Sequence, residues 1–268
     1  FSLIFAWFIP NRIVVHHSRE VEELLLIQQN WKGKVASITE RICGRISSKT
    51  ATALLTVSED LINYQRKERN LPKDFPIIHF PNGIIVKNTP ILDNLIYKKD
   101  FLEIGFIAGK FAPWHGLDIL LDNCEEEIYT NFHKKIIIHL IGSLNSRYLR
   151  QINFINNKKG SIEIRYYGNL KQEEYLRIFN KCIIGIGSLA MFRVGLTDGC
   201  TLKVREMLAM GLPVFSGHKD TALPKNFPYY YSEGGGIKVM LDFANKMCTT
   251  NRQEVRNAAY EYIDKKKW

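Results

Sequence analysis

Residues 183–215 read IIGIGSLAMFRVGLTDGCTLKVREMLAMGLPVF, and they hold one complete repeat of the fold. Ile183–Gly187 is a short, nearly continuous apolar run, as expected of a strand buried on both faces. A polar loop follows, then Leu202–Met210 at helical spacing. Gly211 and Pro213 stop that helix, and Pro213–Phe215 opens a new strand. Outward from this unit the alternation continues. Strands are expected at Arg12–His16, Ala51–Val57, Pro76–Phe80, Glu103–Ala108, Lys135–Ile141 and Ile162–Tyr167. Helices are expected at Glu20–Gln29, Glu59–Arg69, Leu117–Glu126, Arg147–Asn157 and Gln172–Asn180, with Ser58 as an N-cap. Strand–helix–strand repetition at this spacing predicts an α/β fold of doubly wound parallel sheets.

The 268 residues suffice for two domains, one of them short, with 87–99 (KNTPILDNLIYKK) as the expected linker. The strands after the linker make a full Rossmann-like set and those before it about half of one. With a first residue other than Met, this predicts a first domain that is incomplete at its N-terminus. The apolar segment Phe1–Pro10 is too short to span a membrane and lacks a basic flank, so it reads as a buried strand or helix end.

Five scattered cysteines without Cys-x-x-Cys spacing argue against a disulfide framework and a structural zinc, and for a reducing, cytoplasmic setting. Lys and Arg exceed Asp and Glu by 37 to 27, a net charge of +10 that attracts anions: nucleic acid, lipid headgroups or phosphorylated small molecules. Within Trp31–Lys49, five cations face the single Glu40.

Ligands of open α/β sheets bind at the carboxyl ends of strands. There the chain offers Gly109-Lys110-Phe111-Ala112-Pro113-Trp114-His115-Gly116, whose glycines and cations make a diphosphate cradle or, equally, a surface turn. Gly142-Ser143 and Tyr167-Gly168-Asn169 are weaker; a tight turn and edge packing explain them as well. The loop Gly187-Ser188 and the run Asp198-Gly199-Cys200-Thr201-Leu202-Lys203-Val204-Arg205-Glu206 are richer. Lys203 lies in the first turn of a helix, where free N–H groups suit a phosphate. Glu206 sits one turn in, where a carboxylate can accept from ribose hydroxyls; by itself it reads as a solvated helix residue.

Together these pieces resemble the C-terminal half of the GT-B-fold retaining glycosyltransferases, family 4, of the type that makes bacterial surface polysaccharides. That family's Gly-Arg…Lys-Gly loop stands here as Gly109-Lys110…His115-Gly116. Its two acids eight apart, ahead of Gly-x-Pro-Val, stand as Asp198…Glu206 and Gly211-Leu212-Pro213-Val214. Val57-Ser58-Glu59 and Pro81-Asn82-Gly83-Ile84 resemble the end of the family's first domain.

The resemblance implies the end of an acceptor-side domain over 1–90 and a donor-nucleotide domain over 91–250. It adds a C-terminal helix over 251–268, with the first domain as a surface to pack back on. It implies transfer of a sugar, with retention, from a nucleoside-diphosphate sugar to a saccharide or lipid-linked acceptor, without an obligatory metal or other cofactor. Gly109, Lys110, His115, Gly116, Gly142, Tyr167, Ser188, Thr201, Leu202, Lys203 and Glu206 would hold the donor, and His17 and Asp198 would serve catalysis. The partners implied are the donor, the acceptor and an anionic membrane surface under the basic face, at the inner side of the membrane. His115 for Lys makes diphosphate affinity pH-dependent, Asp198 for Glu shortens the reach to the sugar, and a chain truncated on the acceptor side can lack turnover. A sugar-nucleotide epimerase of the same fold and a non-catalytic nucleotide-sugar-binding partner subunit remain as alternatives. Nucleic-acid binding is disfavoured by the lack of an aromatic-interleaved basic sheet or a recognition helix.

Overall fold

The two larger sheets among the described residues are parallel, and each forms from the continuous apolar runs read above. The structure is a computed structural model that describes Ile9 and residues 11–94, 100–127, 130 and 132–265. The expectation for Phe1–Pro10 falls almost wholly outside the described residues, as do Leu95–Lys99 of the expected linker. The chain divides into two units. Unit 1 holds the described residues up to Asn82 together with Met191–Cys200, and unit 2 holds Gly83–Ala190 and the described residues from Thr201 on.

Unit 1 runs β1 (Ile13–His16), α1 (Glu20–Ile27), α2 (Trp31–Lys49), β2 (Ala53–Thr56), α3 (Glu59–Glu68) and β3 (Ile77–His79), with the two-residue β8 (Asp198–Gly199). The three main strands pair in the order β1-β2-β3, with Ile13 beside Ala53 and Thr56 beside His79. Ala51, Leu54 and Leu71 form its small apolar centre. Val21, Val57 and Leu61 are buried too, and polar groups share the interior. The Arg69 guanidinium is fully buried against Gln65, Glu20 and Glu40.

Unit 2 runs β4 (Phe101–Lys110), α4 (Leu117–Glu126), β5 (Lys135–Ser143), α5 (Ser146–Asn157), β6 (Ile162–Tyr166), α6 (Gln172–Phe179), β7 (Ile184–Ile186), α7 (Leu202–Ala209), β9 (Val214–Phe215), β10 (Lys219–Asp220), β11 (Tyr230–Tyr231), α8 (Ile237–Met247) and α9 (Arg252–Ile263). Its sheet has the order β11-β9-β7-β4-β5-β6 and every pair is parallel. The strands wind outward in one direction through β5 and β6 and in the other through β7 and β9. The order therefore reverses between β4 and β7, the position at which such sheets open a ligand crevice. Leu102, Ile104, Phe106 and Ala108 alternate onto one face of β4 and build the main core with α4, β5 and α8. A second core gathers α7 and α9 around Val204, Met207, Leu208 and Val255.

All eight expected strands and six expected helices form. α2 and α8 form in addition to them. Ser58 stands at the N-cap position of α3, but its side chain makes no cap bond there. The helix is capped from elsewhere, as described below. α9 is tied into unit 2: Arg256 donates to the carbonyls of Val86, Thr89 and Ala209, and Ile84 N–H donates to Ile263 O. None of the five cysteines forms a disulfide.

Candidate functional site

Lys203 lies in the first turn of α7, and its Nζ is shielded from solvent without a hydrogen-bond partner. The nearest compensation is the face of Phe106 on β4, 5.4 Å away. Burial drives the Lys203 pKa down from 10.5 to about 7. Thr201, the N-cap residue of the same helix, makes no side-chain cap bond, and its buried Oγ1 also has no partner. A buried ammonium, a buried hydroxyl and the unfilled N–H groups of a helix start are together the donor set that a phosphate needs.

The β4 loop reaches the same end of the sheet. Pro113–His115 makes one 3-10 turn, and Gly116 closes it at φ +71°, a left-handed conformation, as the N-cap of α4. A Cβ on Gly116 would also stand 2.8 Å from that of Leu189. The turn is stitched to the loop after β7: Leu189 N–H donates to His115 O at 3.0 Å and Ala190 N–H to Trp114 O at 3.1 Å. His115 Nδ1 accepts from Ala112 N–H at 2.9 Å, which leaves the ring proton on Nε2 as a donor. Burial, and next the Lys203 charge, hold the His115 pKa down to about 3. His115 is thus a neutral donor throughout the working range, and the expected pH dependence moves from His115 to Lys203. Gly109 and Lys110 stand exposed at the end of β4, and no protein atom lies within 4 Å of where a Gly109 Cβ would point.

Ser188 is buried, and its carbonyl accepts from Ser216 Oγ, Gly217 N–H and His218 Nδ1, each at 3.0 Å. With its proton on Nδ1, His218 keeps a bare and buried Nε2 that has no partner. Arg205, on α7 beside Lys203, is wholly buried in a two-bond pair with Asp220, both bonds 2.6 Å. No local signal marks His218 or the Arg205–Asp220 pair. Each depends on β9 and β10 coming back beside α7.

Glu206 is exposed on α7, with its carboxyl pKa raised by burial of the carboxyl end. Leu202 is exposed as well. Tyr167 stands at the β6 edge with its ring stacked on His139 and its hydroxyl 2.8 Å from His139 Nδ1. His139 Nε2 in turn meets Glu103 at 2.8 Å. Gly142 has φ +131°, and a Cβ there would fall 1.7 Å from Ala108 O, so the close passage of β4 over β5 accounts for that glycine.

Among the described residues, no three His, Cys, Asp or Glu side chains are grouped to hold a metal ion, and no helix is long and apolar enough to cross a membrane. No protein-family model matches the sequence, and no curated protein matches it. The fold does match solved structures. TarM superposes with a TM-score of 0.60 at 14% identity over 95% of this chain and 48% of TarM. A variant of S. aureus TarM in complex with fondaparinux, alpha-GlcNAc-glycerol and UDP gives 0.58 at 16% identity over the same shares. Anabaena Alr3699/HepE in complex with UDP and glucose gives 0.62 at 12%, over 98% of this chain and 72% of that one. The fold is GT-B. This chain spans about half the length of TarM.

Within that fold the remaining two expected site residues belong to unit 1. His17 follows β1 and is exposed. Asp198 is buried, and its carboxylate accepts from the N–H groups of Glu59 and Asp60, both at 3.1 Å to Oδ2. Asp60 reciprocates by accepting from Thr197 N–H and Oγ1, each at 2.7 Å. The Asp198 carboxylate therefore caps α3, and any contact with a sugar would draw on an acceptor already in use.

Proposed function

We propose that unit 2 binds a nucleoside-diphosphate sugar and that the protein transfers the sugar, with retention, to a saccharide acceptor, lipid-linked in surface-polysaccharide synthesis. The observation that carries this reading is the buried, unpartnered Lys203 Nζ at the start of α7, beside a sheet's switch point. A group so costly to bury has a reason to persist if a phosphate completes it. The fold's likeness to proteins solved with UDP supports a nucleotide donor.

In this reading Lys203, Lys110, the His115 Nε2–H and the Thr201 end of α7 surround the diphosphate. Gly109 gives its oxygens room, Gly116 holds the left-handed turn that starts α4, and Glu206 accepts from the ribose. Tyr167, Gly142 and Leu202 border the base and ribose, and Ser188 borders the sugar. When the bond from the anomeric carbon to the diphosphate breaks, the electron pair leaves with the phosphate. Lys203 and Lys110 then stabilise the growing charge, with no metal required for that step. The catalytic roles that the resemblance implies for His17 and Asp198 remain part of the proposal.

The test is thermal unfolding of the purified chain with UDP, GDP and ADP, since a ligand of the folded state raises the melting temperature. A rise with one of them, lost in Lys203→Met and Glu206→Ala, is the expected result. Folded protein that responds to none would overturn the donor site.

A further inference from the structure

His218 follows β9, and only 2% of it is exposed. Its Nδ1 stands 3.0 Å from the Ser188 carbonyl, just past β7, and 2.9 Å from Ser216 Oγ. A carbonyl only accepts, so Nδ1 carries the ring proton and Nε2 is a bare acceptor. Burial holds the His218 pKa below the usual histidine value, and the charges of Lys203 and Arg205 push the same way. At neutral pH the ring is therefore uncharged, and Nε2 stays an acceptor. The ring is also fixed in place. Tyr230 Oη donates to the His218 carbonyl at 2.7 Å, and its ring meets the imidazole edge-on with centroids 6.4 Å apart. A Cβ on Gly217 would fall 2.5 Å from Leu189 O, and one on Gly187 2.7 Å from Ser216 Oγ. These two glycines let the loop after β9 press against the loop after β7, which is how His218 reaches Ser188.

The Lys203 ammonium lacks an acceptor and His218 Nε2 lacks a donor, yet neither completes the other. Lys203 is close enough for its charge to act on the imidazole. One hydroxyl satisfies both groups, because it accepts from the ammonium and donates its proton to the nitrogen. An ionised phosphate oxygen serves the ammonium but has no proton for Nε2. A bare imidazole nitrogen can also ligate a metal, but among the described residues no three His, Cys, Asp or Glu side chains are grouped to share one. We propose that His218 Nε2 accepts from a hydroxyl of the transferred sugar, which makes His218 a specificity-determining residue of the donor site. This rests on the donor-site reading, in which Ser188 borders the sugar. A buried acceptor left without its donor is costly, so the site should reject a sugar that lacks that hydroxyl.

The test is titration calorimetry of the purified chain with UDP, GDP and ADP. It continues with the glucose and galactose esters of the diphosphate that binds, and with the monodeoxy forms of the tighter ester. A sugar ester should bind more tightly than its diphosphate, and one monodeoxy form about tenfold to a hundredfold less tightly than the ester. His218→Asn keeps an amide near Nδ1 to serve the Ser188 carbonyl but places nothing at Nε2. It should still bind the diphosphate and lose the gain from the sugar. His218→Gln, whose amide oxygen reaches the Nε2 position, should recover part of that gain. On His218→Asn the deoxy form should lose nothing further, because the hydroxyl no longer has its partner. Thermal unfolding checks that the variants fold; if the Asn variant does not, the deoxy series on the unmodified chain and the Gln variant decide. Sugar esters no tighter than the diphosphate, deoxy forms that all bind alike, or a folded Asn variant that keeps the gain would each overturn the proposal and leave the donor site standing. Binding of none of the three diphosphates would overturn the donor site itself, and this inference with it.

Discussion

Lys203 gains little from folding. Shielding an ammonium without a partner costs several kcal/mol before any ligand arrives. Lys203→Met should therefore raise the melting temperature of the ligand-free chain by about 2–6 °C, while abolishing stabilisation by a nucleoside diphosphate. A variant that loses stability instead would show that the cation has a structural partner. The pH dependence follows from the same group. Its pKa is about 7 in the free protein, and a bound diphosphate favours the charged form. Binding above pH 7 must then take up a proton, and affinity should fall about tenfold per pH unit between about 7 and 9. Titration calorimetry in buffers of different ionisation enthalpy measures that proton, and Lys203→Met should remove it. His115, held neutral down to about pH 3, contributes nothing in this window.

Helix α3 shows how an element can be legible while its support is not. Ser58-Glu59-Asp60 marks the helix start correctly, yet the N–H groups of Glu59 and Asp60 are satisfied by Asp198, 139 residues from Glu59. Asp198→Asn keeps the shape but removes the charge at the helix dipole, and should cost about 1 kcal/mol in chemical denaturation. No loss of stability would free Asp198 for another role. Helix α9 is held in a comparable way through Arg256. Arg256→Ala leaves the carbonyls of Val86, Thr89 and Ala209 without this donor and should cost about 2–4 kcal/mol. Arg256→Lys should recover only part of that, because one ammonium cannot reproduce the guanidinium fork.

For the molecule as a whole, the residues proposed to hold the nucleotide all lie in unit 2. Hydrogen exchange with UDP should show protection concentrated at 109–117 and 201–206, with α8 unchanged. Protection spread evenly over the chain would argue against a local site. The strand order of unit 2 was not readable from the alternation of runs, because every strand in it is similarly apolar. Yet the order is what makes the β4 and β7 loops neighbours. Chain order also misleads at Met191–Cys200. That segment lies in the middle of the run richest in donor-site chemistry, but it belongs with unit 1.

From its sequence alone, the chain determined where eight of the strands and most of the helices lie and that the two larger sheets are parallel. Local patterns encode these features: continuous apolar runs, helical spacing, and glycine or proline at the ends. It also marked Gly109–Gly116 and Thr201–Glu206 as the loops rich in cations and glycine. Tertiary structure alone decided which of those groups are buried and which are already in use. It left Lys203 Nζ without a partner and turned Asp198 onto α3. Burial and pairing arise from contacts between residues far apart in the chain, and a pattern read over ten or twenty residues holds no record of them.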